Sequence, residues 1–571
     1  WIGTNAGLAL FNPTTEKFTV FKHNPNDDNS LLSNSIYDIK QMKDGKIWIC
    51  TNMGGVSILD LQHNAFISAE EIDFQNIKAT NDNYGLSSPN ARCAYQDCYG
   101  NIWIGNYRGG IDFISHTQPM FNILPYTIET AKGLSYKQVW GMWATDNQVW
   151  LGSEDELGLF INGKKIKTYD LYSHELVYNT HINTIYEDRQ KRLWLGTYKN
   201  GILLYKPDKQ EIVHISSSLF NNLDVRCFYE DQNGKMWIGT ETGIYSCTNE
   251  VLVKEEEIQK QLPDIMVHSL LRDKEGKLWV GTFGKGISIF DVNNKLLWNF
   301  VIENGFCSNA VNHMIKDSEE QIWVAPREGL AVFKNTSQPN RYKIFKEKEG
   351  LENSHIRAIC EDLEKRIWIS SNDGISCLDP KQNLFYNYNH HDGVPMGDFM
   401  NGSTCMTHNG IIYFGSQNGA CFFNPKELSS IRQVSPVKIT QFCKYNKKTE
   451  SKDAEISIPF KKGVVHLPYN QNSFRITFNV LDYTQSPQVE FTYMLEGLEN
   501  RWYDTQGENQ VIFRNIPPGK YNFKVRTRIR NQEWDKEIAS LNIFIAPPLW
   551  LTWYAKLGYV ILFIFALYRS E

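Results

Sequence analysis

Seven residues at near-constant spacing carry most of what this sequence offers for recognition: Trp140, Asn183, Arg226, His268, Asn312, Arg357 and Asn401. Each stands eleven residues before a recurring tryptophan or its equivalent, allowing a one-residue shift in the first and last copies. Almost all can donate hydrogen bonds, and the positions just before them are mostly apolar. A second set, Tyr198, Lys199, Glu241, Phe283, Lys285 and Arg327, lies a few residues after the same tryptophans. Aromatic faces with nearby donors suit a sugar, and Arg or His would suit sulfate or carboxylate groups carried on it. The same residues could instead line a wet channel mouth and touch no ligand.

The signal for catalysis is weaker. Asp155, Glu156, Glu241 and Glu328 fall on the same nominal face, but most are spread one per repeat. An Asp six residues before the tryptophan recurs in many copies, which marks a turn residue rather than an acid or base. No G-x-S-x-G, H-E-x-x-H, P-loop or Rossmann fingerprint is present. The eleven cysteines include no C-x-x-C pair; Cys93 and Cys98 form a lone Cys-x4-Cys, and Cys227 and Cys360 alternate with apolar residues like small core hydrophobes. Neither a metal nor a cofactor is expected. With 59 Lys+Arg against 64 Asp+Glu and no basic block, nucleic acid finds no electrostatic handle.

The elements that position these residues are read from the repeat. W-[ILV]-G-like tripeptides start at Trp1, Trp48, Trp103, Trp150, Trp194, Trp237, Trp279, Trp323 and Trp368, with a degenerate Tyr413-Phe414-Gly415, at spacings of 42 to 55 residues. That period matches a four-stranded blade. Each copy has an alternating stretch ending in Asp, a short turn, the tryptophan strand, and a loop closed by Gly, as in Asp231 to Tyr245. Period-2 patterning with no helical window predicts an all-β chain, its tryptophans filling the gaps between adjacent blades. The seven copies from Trp150 to Tyr413 are enough to close a seven-bladed β-propeller. The three upstream copies cannot close a ring, and the sequence opens in mid-motif at Trp1, so part of a second propeller lacking roughly four blades is expected before it.

Beyond Pro436 the pattern changes. Strand-like runs at Phe474–Phe478, Val489–Tyr493, Gln510–Phe513 and Tyr521–Val525 predict an immunoglobulin-like β-sandwich. Leu549 to Tyr568 is apolar enough to predict a transmembrane helix, with Trp550, Trp553 and Tyr554 at its start, Lys556 as a blemish and Arg569 after it. The expected domains are 1–120, the last three blades of a truncated propeller; 121–432, the seven-bladed propeller; 433–547, the sandwich; and 549–568, the start of a transmembrane helix.

Two motifs resemble a known family. The unit D-x-x-G-x-[IL]-W-[IV]-G-T-x-x-G-[IL], seen at Asp231 to Ile244 (with Met236 before the tryptophan) and nearly intact at Asp273 to Ile287, resembles the two-component-regulator propeller repeat. Phe491 to Trp502, Pro517-Pro518-Gly519-Lys520-Tyr521 and Pro547-Pro548-Leu549-Trp550 resemble that family's tyrosine-rich sandwich domain. The whole order is similar to the periplasmic sensor region of hybrid two-component systems in glycan-degrading bacteria. The resemblance implies a homodimeric inner-membrane protein that binds an oligosaccharide and signals to a histidine kinase controlling glycan-utilisation genes. It implies no catalytic site in this region, the parent being a sensor kinase. An adhesion or scaffold ectodomain, or less readily a glycan-degrading propeller enzyme, is the alternative.

Overall fold

The computed structural model describes residues 1–60, 72–79, 85–116, 120–124, 127–130, 133–136, 138–154, 156–171, 180–215, 223–262, 266–428, 435–444, 455–457, 464–483, 489–529 and 534–570. The chain divides into two compact units, Pro119–Gln433 and a second formed by Trp1–Gln118 with Val434–Glu571.

In Pro119–Gln433 the period-2 segments form antiparallel meanders. The Trp237 sheet runs Val225–Glu230, Met236–Thr240, Gly243–Thr248 and Val251–Lys254, in chain order. Sheets opening with Gly141–Ala144, Ile182–Glu187, Met266–Arg272, Val311–Lys316 and Ile356–Glu361 repeat that plan. One further sheet is composite. Its strands Phe399–Met406, Ile412–Ser416 and Gly419–Phe423 are completed by Asn122–Leu124 from the start of the unit, with Ile123 opposite Cys421. First strands of successive sheets lie side by side, and Gly141–Ala144 lies beside Phe399–Met406, so the arrangement closes on itself in propeller-like fashion.

Three sequence features explain the repeat. The tryptophans are buried across sheet boundaries: Trp279 packs with Val311 and Met314 of the next sheet, and Trp323 with Ile356 and Ile359. The recurrent Asp holds both the turn and the indole. Asp317 Oδ1 accepts from the Glu319 and Gln321 amides at 2.9 and 2.7 Å, while Oδ2 accepts from Trp323 Nε1 at 2.8 Å. Asp188, Asp231, Asp273 and Asp362 accept from their own tryptophans at 2.8, 3.1, 3.0 and 2.8 Å. Where Met42 takes this place, the buried Trp48 Nε1 has no partner among the described residues. Last, the glycine two after the tryptophan admits the neighbouring strand. A Cβ on Gly239 would stand 2.4 Å from Cys227 Sγ and 2.8 Å from Val267 Cγ1.

Among its described residues the other unit holds one four-stranded sheet of the same type, Ile36–Gln41, Ile47–Thr51, Gly55–Leu59 and Phe74–Ile77, and two three-stranded antiparallel sheets. It also holds two sheets that share a core. One orders Glu455–Ser457, Val437–Lys444, Phe474–Val480 and Gln510–Phe513; the other orders Val464–Leu467, Ile538–Ile545, Gly519–Ile529, Val489–Glu496 and Tyr503–Asp504. Phe442, Phe474 and Phe478 from the first meet Phe491, Phe523 and Ile543 from the second. The alternation of Gly519–Ile529 puts Tyr521, Phe523 and Val525 inward, while Val464–Leu467 joins the sheet edge in parallel.

Two expectations are corrected. Short helices do occur, at Glu256–Gln261 and Pro425–Leu428. The helix expected from Leu549 starts later: Leu549–Leu551 is a 3-10 turn, Thr552 is extended, and the α-helix covers Trp553–Ser570. Those 18 residues are apolar apart from Lys556, Arg569 and Ser570 and the tyrosine hydroxyls. Among the described residues no helix is long and apolar enough to cross a membrane.

Candidate functional site

The eleven-before-tryptophan position proves to be a structural device. In five consecutive sheets the pairing of first and second strands slips at the same place: Ile182/Thr184, Val225/Cys227, Val267/Ser269, Val311/His313 and Ile356/Ala358. The extra residue in each bulge is Asn183, Arg226, His268, Asn312 or Arg357. A β-bulge re-aims its side chain away from the regular alternation, which is why such residues gather at sites. The composite sheet slips over a longer stretch, Phe399/Thr404, that contains Asn401. Trp140, half-buried, precedes its strand, and its amide donates to Gly152 O at 3.3 Å. The other unit repeats the device at Tyr37 and Arg92, where the Arg92 guanidinium lies 3.9 Å from the Tyr37 ring centroid.

Three of the bulged side chains, Asn183, Asn312 and Arg357, reach the neighbouring sheet. Asn183 Nδ2 donates to Asp224 Oδ1 at 2.6 Å and to Val225 O at 3.2 Å. Arg226 forms an ion pair with the same Asp224. Burial pushes the Asp224 carboxyl above its ordinary value, and Arg226 and Asn183 oppose that push. Asn312 Nδ2 donates to Ile356 O at 2.7 Å. Arg357 donates through Nε to Asn372 Oδ1 at 2.7 Å and through Nη1 to Asn401 Oδ1 at 3.0 Å, and its Nη2 lies 3.6 Å from Asp398. His268 is lowered to about 4, first by burial and then by Arg226, so its imidazole is neutral at neutral pH.

The aromatic set is divided. Phe283 is 48% exposed, and its ring centroid stands 5.6 Å from that of His268. Tyr198 lies edge-on to His181 at 5.9 Å with Lys199 Nζ 4.9 Å from its ring, and His181 Nδ1 is 3.7 Å from Glu154. Arg327 is exposed and fixed through its amide to Ala310 O at 2.8 Å. The structure thus gathers Asn183, Arg226, His268 and Phe283 into one corner and Asn312, Arg357 and Asn401 into another. Tyr198 belongs to a third group, and among the described residues Trp140 and Arg327 join none of these through side-chain hydrogen bonds or ion pairs. Sequence reasoning missed Asp224, two residues before Arg226, and also Asp398 and Asn372.

The side chains gathered here are amides, guanidinium groups and aromatic rings around one closed set of strands. The recurrent aspartates are committed to turns and indoles. Among the described residues no group of three or more His, Cys, Asp or Glu side chains is placed to hold a metal ion. Seven of the cysteines are buried, including Cys360, whose thiol burial pushes up to about 12.

The Y_Y_Y domain family matches residues 482–546, and the two component regulator propeller family matches 177–199, 218–242 and 261–284. Histidine kinase P4 of Formosa agariphila is 25% identical over 448 residues, covering 67% of this chain and 32% of its own length. The chain therefore spans about a third of that curated relative. The crystal structure of the extracellular domain assigned to hybrid two component system BT3049 of B. thetaiotaomicron is 40% identical and superposes with a TM-score of 0.82, covering 96% of this chain and 71% of that one. This chain belongs to the family of extracellular sensor domains of hybrid two-component systems, built from regulator propeller repeats and a Y_Y_Y domain.

Proposed function

We propose that the Pro119–Gln433 unit is a seven-bladed propeller that binds an oligosaccharide on the face lined by the bulged side chains, and that binding starts the signal. The observation that carries this reading is the bulge itself, which presents Asn183, Arg226, His268, Asn312 and Arg357 at equivalent positions of five adjoining sheets. Hydrogen-bonding side chains repeated around a closed ring, with Phe283 and Tyr198 on the following loops, suit a molecule rich in hydroxyls and apolar C–H faces. In this reading the two facing sheets of the other unit are an immunoglobulin-like sandwich. They relay a rearrangement of a periplasmic homodimer across the inner membrane to a histidine kinase that controls glycan-utilisation genes. The ligand can shift that equilibrium only by its differential affinity for the two states.

A thermal-shift screen of the purified chain against oligosaccharides tests this. A ligand at a hundred times its Kd should stabilise by about 2.7 kcal/mol, and the shift should vanish when His268 and Arg357 are both replaced by Ala. No shift with any glycan would contradict the reading and favour an adhesion role.

A further inference from the structure

The corner between the Trp237 and Trp279 sheets contains two polar atoms that the fold leaves unmet. Arg226 Nε and His268 Nε2 are both buried and without a hydrogen-bond partner among the described residues. They belong to bulged residues of side-by-side strands, Val225–Glu230 and Met266–Arg272. Phe283 supplies an apolar face against His268. Orphaned buried polar atoms are rare in folded proteins, and two in one corner beside an exposed ring call for an occupant.

Charge decides its class. The Arg226 positive charge is already matched by Asp224, whose side chain is 1% exposed, and Glu241 adds a further negative charge close to Asp224. His268 contributes no charge at neutral pH. An anion moved into this corner would lose its hydration and meet a guanidinium already paired with a buried carboxylate. A hydroxyl fits: it accepts from the guanidinium Nε–H, and because it both donates and accepts it can satisfy either tautomer of the imidazole. The sulfate or carboxylate that Arg and His suggest from sequence alone is disfavoured once Asp224 is seen.

We propose that this corner is a subsite for an uncharged sugar, with hydroxyls bonded to Arg226 Nε and His268 Nε2 and an apolar ring face laid on Phe283. The subsite rests on the oligosaccharide-binding reading above and narrows it: the ligand is a neutral oligosaccharide, not a uronate- or sulfate-bearing one.

Calorimetric titration of the whole chain tests the assignment. The probes are neutral gluco-, manno-, galacto- and xylo-oligosaccharides, against oligogalacturonides and sulfated oligosaccharides of matched length. Two variants accompany the unaltered chain: His268→Phe, which keeps a ring in the same space, and the double change Asp224→Asn with Arg226→Gln, which removes both buried charges together. Saturable binding of a neutral probe, weakened about tenfold or more by each variant, is the expected result. Binding of acidic probes alone, or neutral binding indifferent to both variants, would overturn the subsite while leaving an oligosaccharide sensor standing. No binding of any probe would overturn the sensor reading itself.

Discussion

The Asp–Trp clamp gives the sharpest energetic test. Asp317→Ala removes the acceptor for two turn amides, at 2.9 and 2.7 Å, and for the Trp323 indole at 2.8 Å. Two lost turn bonds are worth about 2 kcal/mol together, and an indole N–H left buried without a partner costs about 1–3 kcal/mol more. The expected loss is about 4 kcal/mol. A control is built into the chain. Asp291 holds a similar turn, accepting from the Asn293 and Lys295 amides at 2.8 Å each, with no indole bond among the described residues. Asp291→Ala should therefore cost about 2 kcal/mol. Both variants would be unfolded in urea within the whole chain and followed by tryptophan fluorescence, comparing the midpoints of the same transition. Equal midpoints for the two would refute the idea that the recurrent Asp is retained for the indole.

Further outcomes follow from particular contacts. Gly239→Ala places a methyl 2.4 Å from Cys227 Sγ and should destabilise by about 2 kcal/mol or more, read by the same unfolding assay. Arg226→Met, which strands Asp224 in a buried place, should cost about 3–5 kcal/mol, and adding Asp224→Asn should recover most of it in a double-mutant comparison. His268 and His313 are both lowered to about 4 by burial, so between pH 4 and 6.5 the unfolded chain binds more protons than the folded one. Stability should accordingly be flat above pH 6.5 and fall as pH drops toward 4, by about 3 kcal/mol for each histidine, and His313→Phe should flatten that slope.

Much of this architecture is legible because tryptophan marks register. Counting from it locates the Asp, the glycine and the position eleven residues back, since each keeps a fixed place in the pleat. What that last position does is not legible: nothing in the residue types of Asn183 or His268 announces a bulge, which arises from how two strands pair. The ring closure is hidden for a related reason, because Asn122–Leu124 has no tryptophan and finds its partner at the far end of the unit. Glu256–Gln261 is too short to show a helical period, and only Ile258 of that helix is buried. The partnership of Asp224 with Arg226 is local enough to be read as an i, i+2 pair, yet its burial, which decides the charge available to a ligand, depends on the neighbouring sheets.

The central claim is that ligand is held by the bulged strands of the Pro119–Gln433 unit. Hydrogen–deuterium exchange, with and without the tightest oligosaccharide from the screen, tests this directly. The account predicts added protection concentrated in Ile182–Glu187, Val225–Glu230, Met266–Arg272 and the loops that follow their tryptophan strands. Protection confined to Trp1–Gln118 or to Val434–Glu571, with these strands unchanged, would contradict it.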